Sequence, residues 1–240
     1  MIKSGENNRY NPEWSNGYSF DDRSVRHEFI SKVFSIVAVQ IFVTIGIIGM
    51  FVFNDDLKVY VLQRIYLFWI ALGATFICML VLVCCENVRR TSPTNYIMLG
   101  IFTLCEAFLL GVITIFYKLE LILYAMVITF LVVVGLTLFA LQTQIDFTAC
   151  GGIMIVLAII LLVMGIVMIF FPSRTLHIIY CCFGVGIFGI YLIYDVQLMV
   201  GGNHANSISP EDYIFAALSI YIDVVTLFMY ILQLLSATTD

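Results

Sequence analysis

Leu176–Met199, LHIIYCCFGVGIFGIYLIYDVQLM, is a run of 24 residues whose one formal charge is Asp195. An α-helix rises ~1.5 Å per residue, so a run of this length outreaches the ~30 Å hydrocarbon core of a bilayer. A barrel strand would be about ten residues long and would alternate apolar with polar, which this run does not. It reads as a spanning helix. Asp195, near its end, is then a carboxylate whose charge something must compensate.

The same reading extends outward to six further uncharged or nearly uncharged runs: Val33–Phe53, Ile65–Cys85, Tyr96–Phe116, Leu121–Ala140, Gly151–Phe171 and Ile214–Leu235. The 240-residue chain is 62% hydrophobic and 11% charged, with a mean hydropathy of +1.06. These values exclude a soluble globular domain. The expected fold class is an all-α integral membrane protein, a bundle of seven spans. Connections of roughly 3 to 15 residues are those of one compact bundle. Two parts are expected: a polar, disordered cytosolic tail over residues 1–28 and a transmembrane domain over 29–240. The halves share no motif, so an inverted-repeat transporter gains no support.

Residues 1–28 carry no apolar h-region, so no cleavable signal peptide is expected and the first span serves as the insertion signal. Arg23, Arg26, Lys32, Arg89 and Arg90 fall on the tail side of the membrane, and Lys58, Arg64, Lys118 and Arg174 on the other. The basic residues flanking the first span place the N-terminus in the cytosol and the C-terminus across the membrane. The net charge of −5 says little about partners in a chain mostly surrounded by lipid, and no nucleic-acid partner is expected.

The seven cysteines, Cys78, Cys84, Cys85, Cys105, Cys150, Cys181 and Cys182, lie in or beside apolar runs. That argues against a disulfide framework and for small apolar packing residues. Cys84 and Cys85, at the tail-side end of span two, are candidates for palmitoylation. His27, His177 and His204 are scattered and no Cys/His spacing fits a zinc site.

Several acids have local explanations. In NSISPEDYIF, Ser209 reads as an N-cap, Pro210 suits the first helical position, and Glu211 and Asp212 favour the positive helix end. Asp146, in QTQIDFTACGG, reads as a cap at a span boundary. Three acids remain inside spans: Glu106, Asp195 and Asp223. Asp195 is roughly 6 Å from the tail-side end of span six and Asp223 roughly 13 Å into span seven. A short loop joins these antiparallel helices, so the two carboxylates can approach if both face inward.

Asp195 also stands near the negative end of its helix dipole. No Lys or Arg lies within any span. Compensation must come from a bound cation, a proton, polar neighbours, or Arg89 or Arg90 reaching in from the loop after span two. Two close carboxylates in a dry setting exchange protons as a coupled pair. Gln197, Asn203 and the backbone at Gly201 and Gly202 add hard oxygens of the kind calcium prefers. For each acid, Glu106 above all, the plainer alternative is a protonated, hydrogen-bonded packing residue.

The strings ENVRRTSPTNYIMLGIFTLCEAFLLG, LFALQTQIDFT, YDVQLMVGG and SISPEDYIFAALSIYIDVVTLFMYIL closely resemble the Lifeguard branch of the transmembrane Bax inhibitor motif family, over about Arg26 to Leu235. The resemblance implies seven helices with the last enclosed by six, and a calcium leak channel of intracellular membranes, endoplasmic reticulum or Golgi, that restrains apoptosis. The plasma membrane is a further address. It also implies a paired-aspartate pH sensor at Asp195 and Asp223, which would bind the transported calcium, and a basic latch at Arg89 or Arg90. Implied partners are lipid, calcium and apoptosis-regulating or receptor membrane proteins, with no cofactor and no enzymatic activity. The chain departs from the pattern at Gln144, where Lys is expected, and in a short tail without the Pro- and Tyr-rich extension of some relatives.

Two rivals come from other classes. A non-conducting interaction protein would inhibit death signalling through its helices alone. An intramembrane aspartyl protease also places Tyr-Asp on helix six, as Tyr194-Asp195 does here, but needs Gly-x-Gly-Asp where this chain has Ile220-Tyr221-Ile222-Asp223. A heptahelical receptor is disfavoured because Phe116-Tyr117-Lys118 stands where Asp-Arg-Tyr would.

Overall fold

Among the described residues, seven helices are long and apolar enough to cross a membrane. They belong to a computed structural model in which residues 12–201 and 205–239 are described, with side chains from Ser24 onward. Helix α1 (Pro12–Phe53) leads to the short α2 (Asp55–Leu62), and then to α3 (Tyr66–Cys84), the short α4 (Glu86–Arg90), α5 (Thr94–Thr114) and α6 (Leu119–Gln142). Helices α7 (Gly151–Phe170), α8 (Arg174–Val200) and α9 (Tyr213–Thr239) complete the chain, with 3₁₀ turns at Phe147–Cys150 and Pro210–Asp212. The seven spanning helices are therefore α1, α3, α5, α6, α7, α8 and α9.

The observed spans match the expected runs to within a few residues, apart from extensions at the ends. The largest is in α1, which begins at Pro12, inside the segment expected to be a disordered tail. Once the apolar span has nucleated a helix, adding polar residues to its end requires no second nucleation. The membrane side on which residues 12–23 lie is called the tail side below.

Short elements are set by local chemistry. The Asn54 side chain accepts the Leu57 amide at 3.0 Å and so caps α2, while Asp55 and Asp56 complement its positive end. Lys58 pairs with Asp55 at 2.7 Å, which holds the exposed Asp55 carboxyl below its usual range. Helix α4 has Glu86 in its first turn and Arg89 and Arg90 in its last, the charge order the dipole favours. Asp146 caps the first 3₁₀ turn, as expected, accepting from the Thr148 amide at 3.0 Å. It also accepts the Ala205 amide at 2.7 Å, so one carboxylate ties two connections together.

Helix α9 is the centre of the bundle. Of its most apolar stretch 61% is buried, against 11% for α7 and 50% for α5, the next most enclosed. It packs mainly against α8, α6 and α1, with lighter contacts to α5 and α3. The outward faces of the other spans are apolar, with Phe42, Phe53 and Phe170 exposed, as lipid-facing helices require.

Small and polar residues fix how the helices approach. A Cβ on Gly111 of α5 would collide with the Phe51 ring of α1, so only glycine admits that ring. Interhelical hydrogen bonds add register: Gln40 donates to Thr103 at 2.9 Å, and Thr44 and the buried Tyr221 hydroxyl lie 2.8 Å apart.

An aspartate pair in a cleft and an arginine clamp at the mouth

Asp195 stands five residues before the end of α8 and Asp223 ten residues into α9. Both lie in the tail-side half of the membrane and line the same cleft. Asp223 is 4% exposed, and its Oδ2 has no hydrogen-bond partner. Asp195 is half-buried, its open surface facing a cleft of about 810 Å³ bounded by α3, α7, α8 and α9. An acceptor oxygen buried without a partner is costly, so the site calls for a proton or a cation at that atom.

The cleft is apolar on its α3 and α7 walls, at Met79, Leu161 and Ile166, and polar towards α8 and α9. There the hydroxyl-bearing residues Tyr180, Tyr191, Ser219 and Tyr230 line it beside the two aspartates. Tyr191 donates its hydroxyl hydrogen to the Met154 carbonyl, which bonds α8 to α7. Among the described residues no Lys or Arg lines the cleft.

Of the further oxygens expected around Asp195, that of Gln197 is committed elsewhere. Gln197 is fully buried, but its Oε1 accepts the Phe147 amide at 2.8 Å and its Nε2 donates to the Ile145 carbonyl at 2.9 Å. Its amide is committed to fastening the α6–α7 connection to α8, because that turn has backbone groups that no helix satisfies. Gly201 adopts φ +61° and its amide caps α8 on the Gln197 carbonyl at 2.9 Å. Gly202, Asn203 and His204 lie outside the described residues. No group of three or more His, Cys, Asp or Glu side chains suited to a metal occurs among the described residues. Two carboxylates fall short of the six to eight oxygens of a resident calcium site. They suit a transient cation with its own water, or a proton.

Glu106 is half-buried on α5 and does not line the cleft. It is not brought to the aspartate pair.

Arg89 and Arg90, the expected latch, point at a different acid. Arg90 Nε and Nη2 reach Asp212 Oδ1 and Oδ2 at 2.9 and 2.7 Å, and Arg89 Nε shares Oδ1 at 2.8 Å. Glu86 also pairs with Arg90, and Glu211 stands 3.6 Å away. The hydrogen bond to Asp212 raises the Arg90 guanidinium above its usual pKa. Asp212 precedes Asp223 by eleven residues, roughly 16 Å of helix axis. The arginines therefore hold the start of α9 rather than the acid within it. The reason is placement: α4 and the Pro210–Asp212 turn share the tail-side surface, while the aspartate pair lies deeper.

The start of α9 has further anchors. Lys32 of α1 sits 3.5 Å from the Tyr213 ring centroid, and Asn95 of α5 donates to the Tyr213 hydroxyl at 2.9 Å and to the Arg89 carbonyl at 3.1 Å. Arg26 of α1 donates to the carbonyls of Met199 and Ile208 at 3.1 and 3.0 Å, across the connection between α8 and α9. Sequence reasoning took Asp212 as a helix-start acid alone and missed this assembly. The available signal was that ENVRR and SPEDY both fall on the tail side with opposite charge.

Comparison with known proteins accords with this architecture. The profile of the family described as "Inhibitor of apoptosis-promoting Bax1" matches residues 26–240. Human protein lifeguard 3 is 40% identical over 220 residues, which are 90% of this chain and 70% of that protein. Protein lifeguard 3 from Mus musculus is 40% identical over 222 residues, 91% and 72% of the two chains. Protein lifeguard 4 from Mus musculus is 31% identical over 217 residues, 89% and 86%. With a match spanning all seven membrane helices, this chain belongs to the family of inhibitors of apoptosis-promoting Bax1, in company with the lifeguard proteins.

Proposed function

We propose that this protein is a pH-sensitive calcium leak channel of intracellular membranes, endoplasmic reticulum or Golgi, that restrains apoptosis, with its tail side in the cytosol. The observation that carries the reading is the meeting of Asp195 and Asp223 in a cleft, with an unpartnered carboxylate oxygen on Asp223. Family membership supports the restraint of cell death. Calcium is the transported ion here, not a resident cofactor.

In this reading, protons and calcium compete for the same two carboxylates. Calcium passing the cleft exchanges part of its hydration for the aspartate oxygens, and the low-dielectric walls strengthen that attraction. Proton uptake by the pair removes the charge that attracts the cation, so flux responds to pH. The latch acts through Asp212: Arg89 and Arg90 restrain the first turn of the helix that carries Asp223. Helix α9 runs unbroken through Ile220 to Asp223, and Ile220 and Tyr221 are buried. This continuity disfavours a protease, which must open the backbone beside its aspartate to admit an extended substrate.

The test is calcium efflux from proteoliposomes between about pH 6 and 8, wild type against Asp195→Asn and Asp223→Asn. The expected result is a pH-dependent efflux in the wild type that either substitution flattens. Absent or pH-independent efflux in the wild type overturns the reading, and preserved protection from cell death in both variants would favour the non-conducting interaction protein.

A further inference from the structure

Tyr180 of α8 and Tyr230 of α9 meet with ring centroids 5.4 Å apart and planes at 68°. The Tyr230 hydroxyl donates to that of Tyr180 at 3.0 Å. Phe188 adds a third ring, 5.7 Å from Tyr230. Two glycines give the pair its seat. A Cβ on Gly184 would stand 2.5 Å from the Tyr230 ring, and one on Gly165 of α7 would stand 3.3 Å from the Tyr180 hydroxyl oxygen. The rings thus occupy space that any other residue would fill.

Both tyrosines line the cleft that holds Asp195 and Asp223. Beyond them, towards the side opposite the tail, lies a second cavity of about 560 Å³ whose walls include Met168, Arg174, His177, Gln233 and Ser236. His177 is three residues from Tyr180 and Gln233 three residues from Tyr230, about one helical turn in each case. On α7, Met168 of the vestibule adjoins Ile169 of the cleft. The second cavity thus begins about one helical turn beyond the tyrosine pair along the same three helices. Arg174 is held at the vestibule wall by its bond to the Ala237 carbonyl at 2.9 Å.

We infer that the hydrogen-bonded Tyr180–Tyr230 pair is the gate between the aspartate cleft and the vestibule on the opposite side. This rests on the channel reading above. The pair suits the task because one hydroxyl–hydroxyl bond closes it and water can replace that bond on either ring, so opening leaves no orphaned polar group. The aspartates set what enters the cleft, and the tyrosines set whether the cleft communicates with the far side.

The test uses the full chain in proteoliposomes with a Ser219→Cys reporter in the cleft, labelled by a membrane-impermeant methanethiosulfonate from the side opposite the tail. The chain without the reporter supplies the background of the native cysteines. Tyr180→Phe and Tyr230→Phe keep the rings and remove the bond. Each is expected to speed reporter labelling on the order of fivefold, the factor a hydrogen bond of typical net strength controls. Tyr230→Ala is expected to speed it further. Labelling unchanged in all three variants overturns the gate. Calcium efflux from the same vesicles separates the two ideas: faster labelling with no efflux in any protein keeps the gate and sinks the channel, while wild-type efflux with unchanged labelling does the reverse.

Discussion

Arg90 grips Asp212 with both ends of its guanidinium fork, at 2.9 and 2.7 Å, across 122 residues of sequence. Arg89 joins on the same carboxylate, so a five-residue helix between two spans restrains the first turn of the central one. Bidentate pairing is specific to arginine, because a lysine ammonium is a point charge. Asp212→Asn is expected to lower the melting temperature in detergent by several degrees and to increase hydrogen exchange at the start of α9. Arg90→Lys should give a smaller change in the same direction. Exchange in that turn unaltered by Asp212→Asn would refute the clamp.

The aspartate pair predicts non-additivity. Asp195 and Asp223 share one cleft and act as one pair in the proposed channel, so substituting one removes the coupling that the other shares. In the efflux assay, the double Asp→Asn variant should show a pH profile as flat as either single variant and no flatter. Independent, additive changes would indicate two separate sites.

Gln197 predicts a stability loss with no link to ion chemistry. Its amide satisfies the Phe147 amide and the Ile145 carbonyl, and Gln197→Leu leaves both without it. The expected cost is on the order of 2 kcal/mol, read by denaturant titration in detergent micelles. A neutral outcome would mean water reaches those groups.

Gly111 predicts a packing conflict that a second change relieves. An added Cβ would overlap the Phe51 ring, so Gly111→Ala should cost on the order of 2 kcal/mol, as overpacking does. Combining it with Phe51→Leu should cost less than the sum of the two single changes. The four thermal midpoints of that cycle measure the coupling.

The cysteines give a check on topology. Cys84 and Cys85 are exposed at the tail-side end of α3, whereas Cys78 and Cys181 are buried. In sealed vesicles of known sidedness, an impermeant maleimide should label Cys84 and Cys85 from the tail side while Cys78 and Cys181 stay protected until the protein unfolds. Labelling of Cys84 and Cys85 from the face opposite the cytosol would reverse the proposed orientation.

Much of the architecture was legible before any fold. An uncharged run such as Gly151–Phe171 can be accommodated in a bilayer only as a helix, because lipid offers no partner for backbone polar groups. The depths of Asp195 and Asp223 followed from counting residues along two antiparallel helices. What counting could not supply was azimuth. Gln197, two residues from Asp195, turns to the α6–α7 connection, and Glu106 does not line the cleft at all. The sequence shows that Arg89 or Arg90 can reach in from the loop after span two, but the acid they hold lies at the start of α9, not in its middle.

The sequence by itself determined the seven spans and the membrane depth of each acid, because hydrophobic length and helical rise are local properties that the bilayer enforces. Only the tertiary structure decided which side chains meet: the two aspartates, the arginine clamp and the tyrosine pair seated on glycines. Each of those contacts depends on the rotation and crossing of helices far apart in the chain, and these are set by packing around α9 rather than by any one segment.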